Sequence, residues 1–223
     1  MEIVDKGMSG TGSSDEVLNK FWYSFAPRFR RKRQQQFLAL FPPEKFPSLI
    51  DIGGLATQWK DDPRDITILN LMPQSAAHCK VLVGDGRCTG LPDSSFDIAF
   101  SQSAIEHVGE WKDQVAFAAE LRRIGKAVYC QTPNRWFPLE VHYLTFFLHW
   151  HPKILQNYFV ARFLTAWGWA ARPDRQGVRE YASQVKLLTP RQMKQLFPDC
   201  IIQKEKYLGM TKALIAIRVS QPL

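Results

Sequence analysis

Cysteine is scarce, with four in 223 residues, at Cys79, Cys88, Cys130 and Cys200. No two of them have the spacing of a zinc site, and their scatter excludes the disulfide framework of a small secreted domain. A long apolar run is also missing. The most apolar late stretch, residues 154–171, is broken by Gln156, Asn157 and Arg162, which a membrane-spanning helix tolerates poorly. The first residues carry Asp5, Asp15 and Glu16 and no apolar core, so no signal peptide is read and the expected address is the cytoplasm. There is no internal repeat. Acid is in deficit, 21 Asp and Glu against 29 Lys and Arg, for a formal net charge of +8.

What is present suits a globular chain. Apolar residues make up 45% and charged residues 22%, ordinary proportions for one domain with a sizeable core. Residues 1–19 are rich in Gly, Ser and Thr and read as a loose tail; residues 20–223 read as a single domain. Much of the positive charge is concentrated in Arg28, Arg30, Arg31, Lys32 and Arg33, beside Phe21, Trp22, Tyr23, Phe25 and Phe29. Three readings of residues 21–33 stand. One is a solvated basic face whose following residues Phe37, Leu38, Leu40 and Phe41 pack on a sheet. Another is an interfacial segment on anionic lipid, and the third is a nucleic-acid contact. A helix is expected from about Pro27 to Phe41, stopped by Pro42-Pro43.

From Ser48 onward the pattern changes. The run Ser48-Leu49-Ile50 closes on Asp51-Ile52-Gly53-Gly54, and Ile66-Thr67-Ile68-Leu69 closes on Asn70-Leu71. A third run, Val81-Leu82-Val83, closes on Gly84-Asp85-Gly86, and a fourth, Ile98-Ala99-Phe100-Ser101, follows Leu91-Pro92-Asp93. Each is a short strand ending in glycine or a small polar residue, the way an open α/β sheet presents a ligand at the carboxyl ends of its strands. A helix is expected over Glu106–Ile124, with Trp111, Val115, Ala118 and Leu121 on one stripe and Gly125 as its stop. A strand over Lys126–Gln131, a helix from Pro190 to Phe197 and strands over Cys200–Glu205 and Thr211–Val219 complete the alternation. It predicts a doubly wound, mostly parallel sheet with an antiparallel final hairpin.

These ordered signals, over roughly Ser48 to Pro133, resemble the class I S-adenosylmethionine-dependent methyltransferases, in the branch acting on small molecules. The resemblance implies a Rossmann-like fold whose last strand inserts antiparallel into seven, with S-adenosylmethionine as cofactor. It implies that Asp51 organises the amine end of that cofactor, with Gly53 and Gly54 allowing close backbone approach. Asn70, where the family pattern has an acid, would face the ribose diol. Asp85 would accept from the adenine amino group and the Gly86 amide would meet a ring nitrogen, with Ser101 nearby; Asp85 also reads as a plain turn residue. The chain departs from the pattern at Leu55 and Thr57, which stand where glycines are usual, and a non-catalytic member of the family is the alternative.

Chemistry is expected after the fourth strand, at Ser101–Val108. Methyl transfer is an in-line displacement in which alignment of the acceptor supplies much of the rate. His107 is the candidate base; a Glu106-His107 pair that packs or caps a helix start is the rival reading. The Asn/Asp-Pro-Pro-aromatic signature of nucleic-acid base methyltransferases is missing, which speaks against a nucleic-acid partner. An acceptor site is expected from Trp111, Asn134, Arg135, Trp136, Glu140 and His142, under a helical aromatic insertion over residues 136–172. The aromatics of that insertion suit a greasy acceptor or a lid that touches the bilayer. Glu140, His142, His149 and His151 match no metal-site spacing.

Overall fold

The computed structural model describes residues 31–140, 145–152, 154, 155, 158 and 185–219. The proposed tail at 1–19, the aromatic-basic segment up to residue 30, His142 and most of the aromatic insertion lie outside the described residues. The chain divides into two compact units, Met1–Leu40 with Pro138–Ser183 and Phe41–Phe137 with Gln184–Leu223.

The larger unit is built on a seven-stranded sheet. Its strands are β1 (Ser48–Ile52), β2 (Asp65–Asn70), β3 (Lys80–Val83), β4 (Phe96–Gln102) and β5 (Gly125–Pro133). Of the two short strands that pair in the other unit, β6 spans Leu139–Glu140 and β7 spans Thr145–Phe146. The sheet is completed by β8 (Ile201–Tyr207) and β9 (Met210–Arg218). Their order is β3-β2-β1-β4-β5-β9-β8. β1 to β5 pair in parallel, and β9 runs antiparallel to both β5 and β8. This is the expected Rossmann-like arrangement with its final strand inverted. The strand order reverses between β1 and β4, which opens a crevice at their carboxyl ends, the usual ligand position in open α/β sheets.

The central strands are near-continuous apolar runs because both faces are covered. Leu49, Ile50, Ile98, Ala99, Ala127, Val128 and Cys130 are all fully buried. On one side of them Phe100 stacks on Tyr129 at 5.1 Å between centroids, and Phe41 meets Tyr129 edge-on at 6.4 Å. Arg64 donates to the Phe41 carbonyl at 2.6 Å, tying the entry of this unit to the start of β2.

The chain's first described helix, α1, covers residues 31–40, and helix α2 spans Trp111–Ile124. The expected helix over Glu106–Ile124 is divided in two. Ile105–His107 forms one 3₁₀ turn, and Gly109, at φ +120°, breaks the chain before α2 begins. The expected stripe is rotated as well. Gln114, Phe117, Ala118, Leu121 and Ile124 are buried, whereas Trp111 and Val115 are 41% and 44% exposed. The buried set recurs at helical spacing, and Gln114 joins it because its amide donates to the Ile105 and Lys186 carbonyls. Burying Phe117 and Leu121 contributes roughly 2–3 kcal/mol each, and Leu121→Ala would cost about 2–5 kcal/mol.

Gly125 does end α2, but as the first residue of β5 at φ −100° rather than as a left-handed cap. A Cβ there would lie 2.5 Å from the Ala99 Cβ, so close packing of β5 on β4 requires the glycine. Helix α3 (Pro190–Leu196) starts where expected. The Thr189 hydroxyl accepts from the Gln192 amide at 3.3 Å, and the Gln192 side chain accepts from the Thr189 amide at 2.9 Å. This is a reciprocal capping box, with Pro190 at the first helical position.

In the smaller unit, residues 31–40 are helical. Phe37 is buried, but Leu38 and Leu40 are 36% and 37% exposed, so the apolar face is narrower than the sequence suggested. At residue 139 the expected helical insertion instead begins with the antiparallel β6–β7 pair, followed by a 3₁₀ turn over Leu148–Trp150. Its local closure is a bond from the Phe147 amide to the Pro138 carbonyl at 2.7 Å. Among the described residues no helix is long and apolar enough to cross a membrane.

Candidate functional site

Four loops leave the carboxyl ends of β1, β2, β3 and β4 on one edge of the sheet, and the loops with the strand ends that feed them carry eight of the fourteen residues singled out from sequence. The loop after β1 turns at Gly53, whose φ is +83° and whose amide donates to the Leu69 carbonyl at 2.9 Å. A side chain at Gly53 would be strained and would meet the Ala104 Cβ of the loop after β4 at 2.6 Å. The two loops that flank the crevice are therefore closely apposed through a glycine.

Asp51 is the most unusual group there. It is fully buried in β1, and its Oδ2 accepts from the Trp59 indole at 2.8 Å. Its Oδ1 is buried without a partner among the described residues. Burial pushes the carboxyl up to about 7 against the opposing Trp59 hydrogen bond. A Cβ on Gly54 would overlap this carboxylate. The second glycine of the pair thus makes room for Asp51, and the loop is closed by Trp59 rather than by further glycines.

Leu55 precedes a 3₁₀ turn over Ala56–Trp59 and has ordinary extended dihedrals. Side chains from the segment after β2 satisfy the loop's backbone groups. Gln74 accepts from the Ala56 amide at 3.1 Å and donates to the Gly54 carbonyl at 2.9 Å. His78 Nε2 lies 2.8 Å from the Ala56 carbonyl. Asn70, at the end of β2, donates to the Gly54 carbonyl at 3.2 Å and accepts from the Leu71 amide. Trp59, Gln74 and His78 were not singled out from sequence. The signal available was an indole eight residues past Asp51 in a loop short of glycine.

The loop after β3 has the opposite character. Asp85 is 39% exposed at its side chain and is gripped by Arg87, with bonds of 2.6 and 3.0 Å. Arg87 also reaches Asp113 on α2 at 2.7 Å. These hydrogen bonds hold the Asp85 carboxyl below its ordinary range. Gly86 has no positive φ. Its Cβ would meet Ile52 and Phe117 at 2.5 and 2.8 Å, so tight packing explains that glycine. Farther along this loop, Thr89 donates to Glu120, which also pairs with Arg123 at 2.7 Å. The Glu120 carboxyl is held down to about 2, chiefly by the Arg123 hydrogen bonds.

Ser101 is fully buried and donates to the Ile52 carbonyl at 3.0 Å, joining β4 to β1. After β4, Ser103 takes a left-handed φ of +54° and the chain enters the Ile105–His107 turn. His107 is exposed at the end of that turn, while Glu106 is fully buried and accepts from the Thr132 hydroxyl at 2.9 Å. The neighbours thus part, one toward solvent and one into the core. Asn134 is buried and bonds the Thr211 carbonyl at 2.8 Å, a structural tie between β5 and β9. Arg135 and Trp136 are exposed, with the guanidinium 5.9 Å from the indole centroid. Glu140 lies in β6, in the other unit.

Residues 53–127 match the family model described as a methyltransferase domain. Solved structures give a fold-level likeness. One is a SAM-dependent methyltransferase from Anabaena variabilis ATCC 29413, 14% identical, with 93% of this chain and 95% of that one covered at a TM-score of 0.54. The methyltransferase in complex with the Trm112 activator from Haloferax volcanii is 12% identical, covering 95% and 99% at 0.51. A SAM-dependent methyltransferase from Archaeoglobus fulgidus is 12% identical, covering 89% and 100% at 0.50. No curated protein matches the chain in sequence.

Proposed function

From the match of residues 53–127 to a methyltransferase domain we propose that the chain is a class I S-adenosylmethionine-dependent methyltransferase that methylates a small-molecule acceptor. The acceptor class that suits the aromatic sequence of residues 136–172 is hydrophobic or lipid-linked, and the setting is the cytoplasm at or near a membrane surface. One observation carries the reading. The strand ends that meet at the sheet's switch point hold a glycine pair around a buried carboxylate with one unpartnered oxygen, and a cationic amine is the natural complement of that oxygen.

The chain's residues fit the cofactor in the following way. Asp51, once ionised, holds the ammonium end, and Gly53 and Gly54 keep the backbone close to it. Asn70 serves the ribose diol by exchanging its present bonds to Gly54 and Leu71. Asp85 and the Gly86 amide serve the adenine, with Arg87 fixing the Asp85 rotamer. The bound sulfonium supplies an electrophilic methyl group. His107, exposed beside the β4 loop, takes a proton from an acceptor that arrives protonated. Trp111, Arg135 and Trp136 offer exposed aromatic and cationic surface on which the acceptor is aligned.

A non-catalytic relative of the same fold is the second reading, and Leu55 and Thr57 in the first loop favour it. Thermal unfolding with S-adenosylmethionine, its demethylated product and NAD tests the cofactor site first. At about 100 times the dissociation constant either adenosyl ligand should add roughly 2.7 kcal/mol, a shift of several degrees. NAD should add nothing. Stabilisation by the adenosyl ligands without turnover on any acceptor of a hydrophobic panel would support the non-catalytic reading.

A further inference from the structure

The β8–β9 hairpin turns through two residues, Leu208 and Gly209, between the paired Tyr207 and Met210. Both turn residues have positive φ, +48° and +80°, the signature of a type I′ turn, in which Asn, Asp or Gly is expected at the first position. Leucine there is sterically disfavoured. Packing does not compensate, because Leu208 is 78% exposed and a Cβ on Gly209 would meet nothing within 4 Å. Met210 beside it is 44% exposed. An apolar side chain held both in a strained backbone and in water, at a loop tip, has its rationale outside the fold.

The surroundings indicate what it meets. β9 starts at the end of the sheet where β5 finishes, since Pro133 pairs with Ala213 and the Asn134 amide bonds the Lys212 carbonyl at 3.0 Å. The hairpin tip therefore shares an edge with exposed Arg135 and with Trp136, 56% exposed. Lys204 and Lys206 on β8 are exposed as well. The sole acid between residues 201 and 219 is Glu205, partly buried and 4.0 Å from Lys212. Within residues 201–219 an apolar tip and exposed cations without an exposed acid, beside the Trp136 indole, form the complement of an anionic lipid surface.

We propose that the β8–β9 turn is a membrane-docking element, with Leu208 and Met210 entering the interfacial region of an anionic bilayer, Trp136 beside them, and Lys204, Lys206 and Arg135 against the headgroups. Docking there presents the sheet edge carrying the candidate site to the membrane. The inference rests on the hairpin's geometry and not on cofactor chemistry.

The test is co-sedimentation of the full chain with phosphatidylcholine vesicles, with and without phosphatidylglycerol, alongside thermal unfolding. Leu208→Asn places a preferred residue in the turn, so it should leave the melting temperature unchanged or raise it while lowering partitioning about tenfold. A paired Lys204→Glu and Lys206→Glu variant should lose the preference for phosphatidylglycerol and most of the salt dependence. Binding of S-adenosylhomocysteine by Leu208→Asn should equal that of the parent, which separates this test from the proposed activity. Partitioning of Leu208→Asn equal to that of the parent would overturn the proposal and move lipid contact elsewhere, residues 21–33 included. A lowered melting temperature would make Leu208 a structural residue. Loss of a dimer without any vesicle binding would assign the tip to a second copy of the chain.

Discussion

Asp51 and Asp85 stand at the same edge of one sheet, one closing β1 and the other following β3, and their surroundings are opposite. Asp51 is fully buried, has an unpartnered oxygen and is raised to about 7. Asp85 is part-exposed, clasped by Arg87 and held below its ordinary range. Burial makes the first carboxylate costly to ionise until a cation arrives. Ion pairing keeps the second charged and fixes its rotamer. One end of the site is thus built to respond to a ligand's charge, and the other to be fixed in place before binding.

Gly54→Ala should break the buried end most severely. Its Cβ would overlap the Asp51 carboxylate, so stability should fall by about 2–4 kcal/mol, with loss of the adenosyl-ligand thermal shift. Equal stability and an intact shift would mean that the loop relaxes freely.

Asp51→Asn should act with the opposite sign on stability. A carboxyl raised in the folded state weakens folding as it ionises, so the cost is absent below the unfolded value near 4 and complete above about 7. The variant should gain up to about 4 kcal/mol at pH 8 and nothing at pH 4, while losing the adenosyl ligands. Melting curves across that range check both halves.

Glu120→Gln probes the ion-paired end. Its carboxyl is depressed, so its contribution is present above about 4.5 and lost as pH falls towards 2. The variant should lose ~2 kcal/mol at pH 7 after solvent screening, with the difference gone in acid. Arg87→Met should have the mildest effect on stability, smaller still in high salt. It should cost more in adenosyl affinity than in stability, because Asp85 loses its fixed rotamer.

The sheet was legible from sequence for a local reason. Runs such as Ile66–Leu69 and Ile98–Ser101 are short, apolar and closed by small or polar residues, so strand and turn are specified within a few positions. The site was only half legible. Gly53 and Asp51 followed from local pattern, whereas Ser101 turned inward because its hydroxyl reaches Ile52, 49 residues away. Trp59, Gln74 and His78 take part through contacts that no spacing rule encodes. Gly86 was singled out for a ring-nitrogen contact, and packing on Ile52 and Phe117 explains its missing side chain. Helix α2 shows the same limit. Periodicity alone allowed two stripes, and the choice between Trp111 and Gln114 was made by carbonyls on distant segments.

The most direct test is calorimetric titration of the full chain with S-adenosylhomocysteine, which retains the ammonium and adenosine, at pH 6 and pH 8 in buffers of different ionisation enthalpy. One site is expected, with tighter binding at pH 8, a proton released on binding at pH 6, and no measurable binding by Asp51→Asn at either pH. Binding with no pH dependence and no proton release would contradict the assignment of the ammonium to Asp51. No binding by the folded chain at either pH would contradict the cofactor site itself.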